Sequence, residues 1–135
     1  MSTVVPYTAL REFMDANWSG APLSWENEPF EIPDPPHFVV VEVFGSSFEQ
    51  RSIGSGNPAA ERWEEEGAAL FHVAVPRGTG SLQARQTAEA LVSLLRGRQL
   101  SGDVRFVSAS VGNGRPADED GQLFMITARL DWARG

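Results

Sequence analysis

Two histidines and several serines are the residues that could support nucleophilic catalysis. His72 lies between Phe71 and Val73 in a run that predicts a strand, and Ser110 lies on a second predicted strand. A serine hydrolase needs a histidine beside the serine and an acid that orients the histidine. Because apolar residues flank His72, we favour a hydrogen-bonded structural histidine over a general base. A small hydrolase-like enzyme that uses His72 with Ser110 stays open as an alternative.

A glycine-rich turn, residues 77–81, joins a predicted strand to a predicted helix. Backbone N–H groups at such a helix start can bind phosphate. The dinucleotide fingerprint, however, needs a third glycine where Gln83 stands, and the Walker pattern needs a lysine, which this chain lacks. We therefore interpret the segment as a strand-to-helix turn and predict no nucleotide cofactor.

Metal ligands are sparse and scattered. The chain has no cysteine, and its two histidines, His37 and His72, lie far apart in the sequence. The acidic runs at 64–66 and 118–120 lack the spacing of a zinc or calcium site and could hold a hard cation only weakly. We predict no metal, no cofactor and no catalytic residue, which describes a protein that is not an enzyme.

The same acidic runs are typical of a protein-contact surface. Trp63 is followed by three glutamates in a segment predicted to project into solvent as a hairpin arm, and Arg115 precedes the second run. The predicted protein-interaction residues are Arg62, Trp63, Glu64, Glu65, Glu66, Arg115, Asp118, Glu119 and Asp120.

Composition narrows the class of protein. The 135 residues suit one domain, 1–135, and carry a net charge of −7 with 11 arginines and no lysine. Residues 1–66 hold 12 acidic residues and 3 arginines, whereas residues 67–135 hold 6 and 8. An acidic chain without lysine predicts no nucleic-acid partner, because phosphate contacts dominate that affinity. No apolar run of about 18 residues and no secretory signal is present, so no membrane partner is expected.

Two helices are predicted from apolar spacing. The first covers residues 7–18 with Thr8 as its cap, and the second covers residues 81–96 with Thr79 or Ser81 as its cap. Gly97 follows the second helix, where a left-handed residue commonly ends a helix.

Four strands are predicted at residues 37–44, 62–75, 103–111 and 122–132, with a further short strand around 49–53 in a loop at 45–61. In the last strand, the even-numbered residues from Phe124 to Trp132 are expected to face the core. A connector at residues 19–36 is expected to lie along the body with Trp25, Phe30 and Ile32 docked. The fold class is therefore α+β, a small mixed or antiparallel sheet of four to five strands packed by two helices.

The order and texture of these segments resemble the tail terminator proteins of long-tailed bacteriophages and gene transfer agents. The resemblance is a tryptophan- and proline-containing lead-in, a strand, a Pro-x-Gly-Thr-Gly turn into an alanine-rich helix, and two closing strands, over roughly residues 7–132. The stretches that carry it are Trp25–Pro33, Phe38–Phe44, Gln50–Gly54, Gly67–Gly80, Ala84–Gly97, Gly102–Val111 and Asp120–Trp132.

Tail terminators form a hexameric ring on the finished tail tube, stop its polymerisation and offer a surface to the head connector. The resemblance therefore implies a tail-terminator-like fold and a structural protein of the virion tail or neck, assembled in the bacterial cytoplasm. Its partners would be further copies of itself, the tail tube protein and the head–tail connector or stopper protein. A ring needs unlike faces that meet, and the charge difference between the two halves would supply them. Another head–tail connector or neck protein is the main alternative.

Overall fold

The structure is a computed structural model that describes residues 3–116 and 121–135. Within these ranges, two α-helices and seven strands follow one another. The helices are α1 (Val4–Asn17) and α2 (Leu82–Leu95). The strands are β1 (Leu23–Ser24), β2 (Phe38–Gln50), β3 (Trp63–Pro76), β4 (Gln99–Leu100), β5 (Val104–Val111), β6 (Arg115–Pro116) and β7 (Leu123–Arg134). The α+β class is thereby confirmed.

The strands form one mixed sheet in the order β1-β2-β3-β7-β5-β4, and β6 pairs with β7. The β1–β2 pair is parallel and the other pairs are antiparallel. The prediction of four to five strands was too low, because β1, β4 and β6 have only two residues each. Strands this short show no alternation that a sequence pattern could reveal.

The centre of the sheet carries the core. β3 lies between β2 and β7, and Phe71 faces Val41 on one side and Ala128 on the other. The even-numbered residues of β7 from Ile126 to Trp132 are buried, as predicted, whereas Phe124 is half-buried. Side chains from α1 and α2 complete the core, including Leu10, Met14, Ala84, Ala88, Leu91 and Leu95.

Helix α1 begins three residues before the predicted start. Pro6 lies in its first turn, where the missing N–H costs nothing because those N–H groups have no helical partner. The Thr8 hydroxyl donates to the Val4 and Val5 carbonyls, so Thr8 lies inside the helix and the prediction that it caps the helix was wrong.

Helix α2 matches its predicted span to within one residue at each end. Gly97 follows it with φ of 71°, as expected of a helix terminator. Ser81 takes the N-cap position, as one of the two predictions had it, but its side chain makes no capping hydrogen bond. The Thr79 hydroxyl donates instead to the Pro76 carbonyl. No helix in the described ranges is both long and apolar enough to cross a membrane.

Strand β2 is longer than predicted and continues to Gln50 through a register shift between Gly45 and Ser47. The predicted loop at 45–61 was therefore wrong in its first part. Beyond the shift, β2 pairs with Trp63–Glu66 of β3. Residues 46–66 make up this end of the hairpin and are called the hairpin arm below.

The connector between α1 and β2 is docked in part. Trp25 is buried and meets Tyr7 edge-on, with the ring centroids 5.9 Å apart. The Phe30 ring packs on that of Phe38 at 5.5 Å. Ile32 is 57% exposed, so the expectation that it docks was wrong.

Candidate functional site

The outer face of the hairpin arm carries glutamates held around one arginine. Glu49 and Glu64 are directly opposite each other on β2 and β3, an arrangement that is unfavourable between like charges. The Arg51 guanidinium offsets this repulsion, with N–O distances of 3.3 Å to Glu49, 3.8 Å to Glu64 and 3.5 Å to Glu66. Arg51 was not among the predicted site residues, since its position beside β3 depends on the unpredicted extension of β2.

Glu65 has a different environment from its neighbours on β3. Its side chain is 1% exposed and accepts hydrogen bonds from the Thr3 backbone N–H at 2.7 Å and the Thr3 hydroxyl at 2.6 Å. The Arg134 guanidinium lies 3.3 Å away and balances the charge. Glu65 therefore joins the two ends of the chain, which corrects the prediction that it belongs to a contact surface.

Arg62 and Trp63 are held by contacts within the chain. The Trp63 indole donates to the Pro58 carbonyl at 2.9 Å, and its ring lies 5.5 Å from that of Phe48. The Arg62 guanidinium donates to the Gly135 carbonyl at 3.0 and 3.2 Å. Arg62 is nevertheless exposed, and Trp63 and Glu64 are half-buried, so these three side chains reach the surface of the arm.

The tip of the arm is an ordered turn. The Glu61 carboxylate accepts from the Ser52 hydroxyl at 2.7 Å and the Ser55 backbone N–H at 2.6 Å. Hydrogen bonds from Ser55 and Ser52 lower the pKa of the Glu61 carboxyl. This framework presents Ile53, which is 91% exposed, to solvent.

The other predicted interaction residues lie elsewhere. Arg115 is exposed on β6, opposite Met125 near the start of β7, whereas the arm meets the end of β7 through Glu65 and Arg134. The structure therefore does not bring Arg115 to the arm. The second acidic run falls outside the described residues, and it comprises Asp118, Glu119 and Asp120.

The opposite end of the sheet presents a second surface, which sequence reasoning missed. β4 pairs only with the first two residues of β5, and the Phe106 N–H donates to the Arg98 carbonyl. Beyond that point every residue of β5 from Val107 to Val111 is exposed, and no described strand covers this edge. The sequence predicts a strand at residues 103–111 without indicating that it lies at an edge of the sheet.

A groove follows this edge between β5 and α2, with adjoining cavities of about 380 and 360 Å³ that share Val92 and Arg96. Val107, Ala109 and Val111 line its β5 side. Arg85 and Arg96 are exposed beside it, and neither forms an ion pair with a described residue. We call this surface the β5–α2 groove.

The charge difference between the two halves of the sequence is reflected in the arm and in the groove. The arm lies within residues 46–66, at the end of the acidic half, whereas α2 and β5 come from the half that carries eight arginines. Residues 46–66 hold five glutamates and two arginines, and the charged residues that line the groove are Arg85, Glu89 and Arg96. The arm therefore carries an excess of negative charge and the groove an excess of positive charge.

The imidazole of His72, which the sequence suggested for catalysis, contacts side chains on the neighbouring strands. His72 Nδ1 lies 2.7 Å from the Thr127 hydroxyl, and its Nε2 lies 3.2 Å from a Glu42 carboxylate oxygen without hydrogen-bond geometry. Ser110 instead faces Arg129 across the β5–β7 pair. The His72–Ser110 pairing considered from the sequence is thus not formed. The hydroxyl that contacts His72 is that of Thr127.

The surroundings of His37 differ from those of the glycine-rich turn. His37 makes contacts of 2.9 Å with Thr87 and 3.1 Å with Gln83, and burial lowers the pKa of its imidazole. The glycine-rich turn before α2 is exposed except for Ser81. Within the ranges that the structure covers, no three histidine or acidic side chains are grouped so that they could hold a metal ion.

Comparison with known proteins supports the fold and no more. No family model and no curated protein matches this chain. A solved structure known by a sequence identifier rather than a descriptive name is similar over 98% of this chain and 95% of its own, with a TM-score of 0.70 and 21% identity. At that identity the likeness shows a shared α+β fold without indicating a function.

Proposed function

We propose that this protein is a structural component of a phage-like tail, a terminator that closes on the tail tube as a ring of identical copies. The resemblance implies a hexameric ring, which ends polymerisation of the tube and joins the tail to the head connector or stopper. In this role it acts by docking and performs no bond-making chemistry. It would reside in the tail or neck of the particle after assembly in the bacterial cytoplasm.

The observation that carries this proposal is the contrast between the two ends of the sheet. A ring of identical subunits requires heterologous contacts, in which one surface of a subunit meets a different surface of the next. The acidic hairpin arm and the basic β5–α2 groove are two such unlike surfaces. A contact that joined identical patches of two copies would instead bring like charges together and would stop at a dimer.

The order of elements in the sequence supports the same proposal. The lead-in around Trp25, the turn at residues 76–80 into α2, and the closing strands β5 and β7 are among the segments that resemble tail terminators. Trp25 packs against α1, and α2 packs against β3 and β7. The resembling stretches also include Gln50–Gly54 in the arm and Ala84–Gly97 and Gly102–Val111 along the groove, so they contribute to both surfaces as well as to the body of the fold.

Tail length tests this function directly. Particles assembled without the protein should carry tails of uncontrolled length, and supplying the protein in trans should restore one length. Negative-stain images of both preparations measure the two length distributions. Tails of normal length that lack only attached heads would instead favour the alternative, a connector or neck protein that joins head to tail.

A further inference from the structure

The β5–α2 groove combines exposed apolar side chains with a strand edge that no described strand pairs with. Val107 is 64% exposed and Val111 is 43% exposed on the same strand. The backbone edge from Val107 to Val111 has no strand beside it among the described residues. An uncovered strand edge readily takes an added strand, and the apolar side chains next to it favour a partner with apolar groups of its own.

The charge around the groove selects an acidic partner. Arg85 and Arg96 border the groove, and Glu89 is the acidic side chain among the residues that line its two cavities. An arginine without a carboxylate partner can form a charge-assisted pair when one is brought to it. The occupant should therefore be an extended segment with exposed apolar residues and carboxylates.

The hairpin arm of the same protein has these properties. Phe48 is 55% exposed and Ile53 is 91% exposed. Glu49 and Glu66 also reach solvent, with 57% and 45% of their side chains exposed. The turn that holds Ile53 is ordered by the Glu61 hydrogen bonds, so presenting this side chain costs little further conformational entropy on binding.

We propose that the β5–α2 groove of one copy receives the hairpin arm of a second copy, with Ile53 and Phe48 against the valines and the arm glutamates against Arg85 and Arg96. This inference rests on the proposed ring in one respect, that copies join head to tail. It adds the surfaces that join. The arm is formed by β2 and β3 and the groove by β5 and α2, so each copy offers one of each to its neighbours.

Cysteine pairing tests the contact, because the chain contains no cysteine and every disulfide would be one that we introduce. An Ile53→Cys variant mixed with a Val111→Cys variant should form a cross-linked dimer under mild oxidation. The matched control is Val4→Cys mixed with Val111→Cys, since Val4 on α1 is 73% exposed and belongs to neither surface. We expect the first mixture to cross-link at least about tenfold faster, because thiols held close together oxidise first.

Equal cross-linking rates in the two mixtures would overturn the docking of the arm in the groove. The tail-length experiment separates this outcome from failure of the proposed function. If particles without the protein have tails of uncontrolled length and the two cross-linking rates are equal, the terminator function is supported and this contact is contradicted. If those tails have normal length and Ile53–Val111 cross-linking is preferred, the contact is supported and the terminator function is contradicted.

Discussion

The centre of the sheet and its two edges differ in how fully the chain encloses its own side chains. In the centre, Phe71 and Leu130 have no exposed surface. At one edge every residue of β5 after Phe106 is exposed, and at the other the hairpin arm extends Ile53 into water. Apolar residues in the centre are explained by folding, because burial there stabilises the native state. Burial does not explain the same residue types at the edges, and for this reason we propose the edges as the surfaces that bind a partner.

The largest effect is expected where the centre is most tightly packed. Gly67 sits where β2, β3 and β7 meet, and a Cβ there would overlap the Phe44 carbonyl and come 2.5 Å from the Trp132 ring. Gly67→Ala should lower the free energy of unfolding by about 3 kcal/mol, because neither backbone nor indole can move away cheaply. Urea unfolding measures the loss.

A matched glycine substitution outside the packed centre tests whether the loss of stability is specific to Gly67. A Cβ at Gly112, beyond the end of β5, would meet only the Thr127 carbonyl at an ordinary 3.6 Å. Gly112→Ala should therefore change the free energy of unfolding by less than about 0.5 kcal/mol. Equal losses for the two variants would contradict the assignment of Gly67 to a close contact.

A smaller loss is expected at the buried carboxylate. Glu65→Gln removes the charge that balances Arg134 and one of the acceptors that Thr3 uses. The loss should be about 2 kcal/mol, because a partly buried charge and a donor are left without full compensation. Glu66→Gln, one residue away on the exposed side of the arm, should cost less than about 0.5 kcal/mol in the same urea titration. Similar losses for both variants would show that Glu65 is not the special member of the run.

Substitutions at the exposed edges should weaken self-association and leave the stability of the fold unchanged. Ile53→Asp and Val111→Asp should leave the free energy of unfolding within about 0.5 kcal/mol of the parent, since both side chains are already exposed. Each should weaken self-association by at least about tenfold, because a carboxylate would then have to enter an apolar contact. Light scattering over a concentration series measures association. A loss of stability as large as that of Gly67→Ala would show that the substituted residue belongs to the core and not to an exposed edge.

The smallest effect concerns pH. Burial lowers the pKa of His37, so the unfolded chain binds a proton at a higher pH than the folded chain. The unfolding free energy should therefore fall as pH drops through the ordinary histidine pKa of about 6.5, and level off below the folded-state pKa. Urea unfolding at pH values of about 7.5 and 5.5 should show a smaller difference for His37→Gln than for the parent. An unchanged difference would contradict this role of His37.

The predictable parts of the fold are those whose pattern is long and local. β7 alternates apolar and polar residues over many positions, and α2 repeats alanine and leucine at helical spacing, so both were predicted closely. The two-residue strands β1, β4 and β6 exist because a neighbouring strand pairs with them, and no local pattern records that. The same holds for the extension of β2 into the arm, which depends on pairing with β3.

The candidate site divides in the same way. The exposure of Arg62 and of part of the acidic run was predictable from composition around Trp63. The burial of Glu65 was not, because its partners Thr3 and Arg134 lie 62 and 69 residues away in the sequence. The β5–α2 groove was missed because an edge strand and a central strand have the same valine-rich composition, and only the strand order distinguishes them.

A mixture of two variants, one with an altered arm and one with an altered groove, tests head-to-tail docking most directly. A variant with Ile53→Asp keeps an intact groove, and a variant with Val111→Asp keeps an intact arm, so each should stay at the 14.7 kDa mass of one chain when alone. The equimolar mixture should form a dimer of one copy of each and grow no further, whereas we expect the parent protein to grow to a closed ring. Light scattering reads all three masses. A mixture that stays monomeric, or a single variant that still assembles, would contradict the docking of unlike surfaces.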